Sequence, residues 1–276
     1  MVERLLTPKV HPWVRRAARL GDLAIGSVYI TLGAFAFAAA FNAGVRTVGF
    51  QGALRRVLEE RVGVGFLMAI GLGLVADGFW QSMRAAYNAD MADPGWRGYL
   101  DRGSWMISGL IHLVLGIIAT ELAVGVDRNS HETQLRQWTQ IIMPMQFGAW
   151  LIMSAGIVTI AIGVVFVHHA AKGDVGRWLD LSSLVRPARS FVVALGRFGI
   201  AARGAVFIVG GALVVLAAVH LNPGEAHGLG GILRTIQSQH YGSLLLAPVA
   251  LGLIAYGLFE FACARYRRFP NPLKRG

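Results

Sequence analysis

Three side chains stand where an ionised group is costly. Asp22, Asp77 and Arg203 fall inside stretches otherwise apolar enough to cross a bilayer. A charge at mid-bilayer costs about 2.5–3.5 kcal/mol on insertion scales, and less near an interface. The chemical reading of this polar trio is an ion or proton path. The plainer reading, which the sequence favours, is a structural ion pair or an arginine snorkelling to the headgroups. Arginine keeps its charge in any protein environment. Arg203 is therefore expected to be neutralised by Asp77 or Asp22, directly or through one water. Glu121 and Glu260 lie near helix ends, where contact with water accounts for them.

Histidine raises a second chemistry. Bis-histidine haem needs two ligands at matched depth on facing helices. Only His112 lies near mid-span; His168 and His169 fall at a helix end, His220 and His240 near the other interface, and His131 and His227 in loops. His112 is expected to be a packed, hydrogen-bonded histidine. A haem or pigment held through it alone is the alternative, and no other cofactor is expected. No short metal-ligand spacing occurs, so no metal site is expected. The chain has no Walker loop, HExxH, GxSxG or dinucleotide fingerprint, and it reads as a non-enzyme. Cys263 is the single cysteine, which excludes an intrachain disulfide. Its place near the end of the last apolar stretch leaves palmitoylation as the alternative to a chance interfacial thiol.

These residues must be positioned by membrane-crossing helices. Charged residues make up 15% of the chain, well below the roughly 25% of soluble domains, and mean hydropathy is +0.53. Six apolar stretches approach or exceed the roughly 20 residues that span a bilayer. They lie near 20–41, 62–82, 103–125, 146–167, 199–219 and 242–262. The first is too long for a signal-peptide core and is read as a retained helix. Pro248, inside the sixth stretch, is expected to kink that helix.

The stretches repeat in pairs. The first helix of each pair keeps two glycines seven residues apart: Gly26 and Gly33, Gly109 and Gly116, Gly204 and Gly211. Seven residues is close to two turns, so each pair lies on one face and lets a neighbouring helix come close. The second helix keeps Gly63 and Gly78, Gly148 and Gly163, Gly242 and Gly257, and an arginine precedes the first glycine by seven in every copy: Arg19, Arg102, Arg197. Register kept in three copies is a repeat signal. Each unit has an even number of spans, so the repeats are parallel and any pseudo-symmetry axis runs along the membrane normal.

Charge orients the chain. Eighteen basic residues fall on the side of the termini and seven on the other. The positive-inside rule then places both termini in the cytoplasm of a cell whose inner (plasma) membrane holds the protein. The net charge of +11 is explained by this topology and by attraction to anionic lipid headgroups, with no nucleic-acid partner implied. Each outer loop carries a short amphipathic stretch: Phe50, Leu54, Val57 and Leu58; Leu135, Trp138, Ile141 and Ile142; Ile232, Leu233 and Ile236. These are expected to rest on the headgroups, with a lid as the alternative. Between helices four and five, Trp178, Leu179, Leu181, Leu184 and Val185 look like a cytoplasmic interfacial helix before Pro187.

The third repeat carries Ala202, Arg203, Gly204 and Phe207, then Gly252, Leu253, Tyr256 and Gly257; the first keeps Gly26, Tyr29, Gly73, Leu74 and Gly78 but has Ile25 for the arginine; the second has Ser108 and His112. On these residues the chain resembles the DUF1206-type bacterial membrane family, a domain of unknown function built from tandem two-helix repeats. The resemblance implies the fold and offers no activity to carry over.

The fold expected is all-α and integral to the membrane, with six transmembrane helices as three parallel two-helix repeats in a pseudo-threefold arrangement. Residues 1–95 hold the N-terminal tail and repeat one, 96–175 repeat two, and 176–276 the interfacial segment, repeat three and the basic tail. The favoured function is a non-enzymatic scaffold or accessory subunit of a larger membrane complex, with a membrane-protein partner or a second copy of the chain. A channel or small-solute or ion transporter, and a haem- or pigment-binding electron-transfer protein, are the alternatives.

Overall fold

The computed structural model describes residues 12–41, 54–55, 63–87, 95–126, 131–172, 175 and 179–267. These fold into α1 (Pro12–Phe41), α2 (Gly63–Tyr87), α3 (Trp96–Ala123), α4 (His131–Ile142), α5 (Gly148–Lys172), α6 (Arg186–Val219), α7 (Leu229–Gln237) and α8 (Gly242–Tyr266). All but α4 and α7 contain a segment long and apolar enough to cross a membrane. Several run past their apolar stretch on the face where α1 begins and α8 ends, called here the terminal face. Hydropathy marks only the lipid-matched core of a helix, whereas α6 continues back to Arg186, with Pro187 in its first turn where no backbone N–H is needed. The helical assignment of α8 runs unbroken through Pro248, which stands at an exposed position.

The glycine pairs sit at the main joints. A Cβ on Gly26 would lie 2.7 Å from the Gly257 carbonyl oxygen, and one on Gly33 2.7 Å from that of Ala250. Gly109 and Gly116 lie in the same way on Gly78 and Gly71, and Gly204 and Gly211 on Gly163 and Gly156. One joint is thus built three times: α2 on α3, α5 on α6, α8 on α1. Each links the second helix of one repeat to the first helix of the next. Such an approach replaces side-chain contact with backbone contact, which is how helices associate where no hydrophobic drive exists between them. On the second helices the small residues are again seven apart (Gly71 and Gly78, Gly156 and Gly163, Ala250 and Gly257). The more widely spaced glycines divide the work. Gly78, Gly163 and Gly257 belong to the joints, while Gly148 and Gly242 open their helices in a tight turn against the carbonyls of Ile142 and Gln237.

The repeated arginines close two joints at the terminal face. Arg102 donates to the Ala85 and Ala86 carbonyls at 2.8 and 3.2 Å, and Arg197 to the equivalent Ala170 and Ala171 carbonyls at 2.9 and 3.2 Å. Both satisfy C-terminal helix carbonyls that have no partner within their own helix. Arg19, at the equivalent place, is exposed.

Within a repeat, α1 packs on α2 and α6 on α8, so the spans form a row α3, α2, α1, α8, α6, α5. The row is curved, because Arg203 on α6 approaches rings on α1, α5 and α8 at once. Among the described residues, α3 and α5 do not pack on each other.

The outer segments do more than rest on headgroups. Ile232 and Leu233 of α7 are buried, Leu233 among Ala36, Ala39, Ala40, Leu246 and Ala250, and Gln237 donates to the Ala39 carbonyl at 2.9 Å. Leu54 is buried against Leu67, Ile70, Leu122 and Ala123. In α4, by contrast, Trp138 and Ile141 are exposed, as expected of a segment lying in the interface. Phe50, Val57 and Leu58 lie outside the described residues.

Among the described residues, 179–185 form no interfacial helix before Pro187. Leu179 and Leu181 are buried against Phe259 and Cys263, and Leu179 forms an antiparallel bridge with Arg267. The Asp180 N–H donates to the Tyr266 carbonyl at 2.7 Å, which ties the segment to the end of α8. The apolar residues that suggested an interfacial helix therefore cover protein, not lipid; Trp178 lies outside the described residues. Cys263 is buried in the same cluster, so it is no surface for acylation.

Candidate functional site: an intramembrane network of acids, arginines and a histidine

The expected neutralisation of Arg203 by Asp77 or Asp22 is not what the structure holds. Asp22 and Asp77 are fully buried, but each has another partner. Arg267, counted from sequence as part of a basic tail, reaches back from the end of α8 to Asp22 at 2.6 Å. The bridge at Leu179 fixes the backbone at Arg267, so a loop between repeats two and three sets an ion pair between repeats one and three. Asp77 pairs with His112 of α3, its Oδ2 lying 2.7 Å from Nδ1. The Gln81 amide donates to the same oxygen at 2.5 Å, while Oδ1 is buried with no hydrogen-bond partner. His112 is thus packed and hydrogen-bonded, with Nδ1 engaged.

Arg203 is held by aromatic residues. Its Nη1 donates to the Tyr256 hydroxyl at 2.6 Å. Its guanidinium carbon lies 5.7 Å from the Tyr29 ring centroid, 5.0 Å from Phe166, 5.5 Å from Phe207 and 5.1 Å from Tyr256. Cation–π attraction of this kind is worth about 2 kcal/mol or more when desolvated. It offsets part of the burial cost without a carboxylate, and Nε remains without a hydrogen-bond partner. Tyr256 hydrogen-bonds Glu260 one turn along α8. Glu260 is buried, so water contact does not account for it.

The glycine register orders these residues. Counting from Gly78, Gly163 and Gly257, the positions of Asp77 and Gln81 correspond to Ile162 and Phe166 and to Tyr256 and Glu260. Counting from Gly26, Gly109 and Gly204, His112 corresponds to Tyr29 and Phe207. Each joint therefore meets through the same three places. At α2 and α3 they are Asp77, Gln81 and His112. At α8 and α1 they are Tyr256, Glu260 and Tyr29, with the tyrosine rings edge to face at 4.7 Å. At α5 and α6 they are Ile162, Phe166 and Phe207, with the phenylalanine rings at 5.6 Å. One joint is ionic, one phenolic and one hydrocarbon. Gln81 escaped the sequence reading, which assigned Glu260 to water contact and named Tyr29 for the family resemblance alone; three residues after each marker glycine was the signal that would have joined them.

The network holds three carboxylates (Asp22, Asp77, Glu260) against two guanidiniums (Arg203, Arg267), with His112 as the remaining base. It balances when one proton is bound, on the imidazole or on a carboxyl. Among the described residues no group of His, Cys, Asp and Glu is disposed to hold a metal ion.

Comparison with known proteins fits this architecture. No solved structure matches the chain. It is 28% identical over 259 residues to the uncharacterized protein YxxB of Bacillus subtilis (strain 168), covering 94% of this chain and 93% of that one. Neither that relative nor the family carries an indication of enzymatic activity. The family described as Domain of Unknown Function (DUF1206) matches residues 20–88, 104–173 and 198–267, one match for each helix pair, and the chain belongs to that family.

Proposed function

We propose that the protein is a membrane carrier that binds one proton in the network around Asp77, Glu260 and His112. The observation that carries this reading is the charge inventory: three acids against two arginines, in a bundle whose α5–α6 joint has no acid or imidazole at the equivalent places. An intramembrane ionisable residue is a functional-site hypothesis by default. Here the equivalent Ile162, Phe166 and Phe207 argue that packing alone does not call for the charges. Leu54 and Leu233 are buried in apolar clusters at the end of the bundle away from the terminal face, which favours an occluded site over an open channel. The positive-inside count supports placing the network in the cytoplasmic half.

The test is proton movement in liposomes of purified protein, read by a trapped pH dye under an imposed potential. Wild type is expected to move protons, and Asp77→Asn to stop them while remaining folded. Folded wild-type protein without flux would overturn the carrier. A scaffold or accessory subunit would then stand, supported by the exposed apolar flank of α5, and native co-purification would identify its partner. Haem or pigment could bind His112 only through Nε2, since Nδ1 is engaged by Asp77, an arrangement that also orients metal-bound histidines. An optical spectrum of the purified protein tests it.

A further inference from the structure

The unmade contact between α3 and α5 has a cause in the sequence. Where the other two repeats close, small residues meet. On α2, a Cβ at Gly73 would lie 2.9 Å from the Leu20 carbonyl oxygen and 3.0 Å from Ala24 of α1, and Gly21 faces Asp77. In repeat three, Gly252 lies on Ala202 and Gly199 on the backbone of Tyr256. In the same register repeat two has Val158 for Gly73 and Gly252, Ile107 for Ala24 and Ala202, and Ser104 for Gly21 and Gly199. Ile107 is 41% exposed and Val158 51%, against 5% for Ala24 and 8% for Ala202. Ile111 repeats the pattern one turn on, exposed where Val28 and Val206 are buried. Branched, exposed side chains stand in repeat two where the closed seams have small or buried ones.

A helix is a poor occupant for it. The small faces of α3 and α5 are already used, Gly109 and Gly116 against α2, Gly156 and Gly163 against α6. What the seam offers is methyl groups, without the small-residue face that close helix association needs. A flexible acyl chain can fill such a surface. At the terminal face α5 ends in exposed His168, His169 and Lys172, with His169 on the same helical stripe as Val158 and Ile162. A cation there favours an anionic headgroup in the adjoining leaflet. We infer that the seam between α3 and α5 is a binding site for a phospholipid, its acyl chain along Ile107, Ile111 and Val158 and its anionic headgroup at His169 and Lys172.

Native mass spectrometry of protein extracted from bilayers of mixed phosphatidylglycerol and phosphatidylcholine tests this. Wild type is expected to retain one phosphatidylglycerol in preference to phosphatidylcholine. Ile107→Ala with Val158→Gly, which installs the residues of the closed seams, should lower retention about tenfold, a change of roughly 1.4 kcal/mol. Val164→Ala, on another side of α5, should leave it unchanged. Should the double variant fail to fold, Ile107→Trp fills the seam with protein and should lose the lipid in the same way. Retention unaffected by both seam variants, no retained lipid in wild type, or equal retention of phosphatidylcholine would overturn the site as stated. None of these outcomes depends on proton movement.

Discussion

The joint of α2 with α3 and the joint of α5 with α6 share a backbone and differ in chemistry. Both mesh two glycines on each helix, and both are capped by an arginine on the last carbonyls of the preceding helix. Between glycines and cap, one places Asp77, Gln81 and His112, and the other Ile162, Phe166 and Phe207. The hydrocarbon version shows what holds two helices together here: close backbone approach and ring packing. The ionic version performs the same packing and carries an added cost of desolvation. That cost is tolerated only because each charge has a near partner, and a buried ion pair is weak evidence for stability. The comparison separates a framework repeated three times from a chemistry placed on one side of it.

The framework should fail first. Gly109→Leu and Gly204→Leu each drive a branched side chain into the backbone of the facing helix, and each should destabilise by about 3 kcal/mol or more. Thermal unfolding in detergent should show similar losses at both joints. A large loss at one and none at the other would mean that the joints are not equivalent in energy, whatever their geometry.

The chemistry should break next, and at one joint alone. His112→Ala leaves the Asp77 carboxyl buried without its imidazole partner and should cost about 3–5 kcal/mol. Replacing both members by their counterparts from the hydrocarbon joint, Asp77→Ile with His112→Phe, should recover most of that loss, since well-packed apolar residues replace buried ion pairs at little cost. The reverse change, Ile162→Asp, should be as damaging as His112→Ala. If the double variant were no more stable than His112→Ala, the pair would be part of the framework and the comparison would collapse.

Much of this was legible in the sequence, and for a physical reason. Membrane helices must satisfy their backbone internally, so length and hydropathy find them, and close approach requires glycine, so register finds the joints. Asp77 and Arg203 stood out as departures between copies. Which residues pair with the buried charges did not. Arg267 lies 245 residues from Asp22, beyond any helical spacing, and looks like one more basic residue of a tail. Arg203 drew attention to carboxylates because charge suggests countercharge, whereas four aromatic rings at 5.0–5.7 Å and one phenol serve it instead. Leu179 and Leu181 show the same limit, since an apolar run against lipid and one against protein have the same composition.

The smallest effect concerns the arginine caps, and it sharpens the comparison without disturbing the interior. Arg102 and Arg197 each give two hydrogen bonds to carbonyls at a helix end, with the Nη2 bond exposed and the Nε bond partly buried. A bond of this type contributes roughly 0.5–1.5 kcal/mol net, and water can replace part of it at an exposed helix end. Arg102→Ala and Arg197→Ala should therefore each cost about 1–2 kcal/mol, and by equal amounts, because the caps are the same at the ionic and the hydrocarbon joint. Arg19→Ala, at the exposed equivalent beside the third joint, should stay within about 0.5 kcal/mol, as surface changes usually do. There the tie across the terminal face is Arg267 to Asp22. Arg267→Ala should accordingly cost more than any of the three, because it leaves a buried carboxylate without its arginine where the others free only a pair of carbonyls. Unfolding midpoints of the four variants, compared at one detergent concentration, decide the order. An Arg19→Ala loss equal to that of Arg102→Ala would restore the third cap and make the Arg267 pair an addition to the framework, not its replacement.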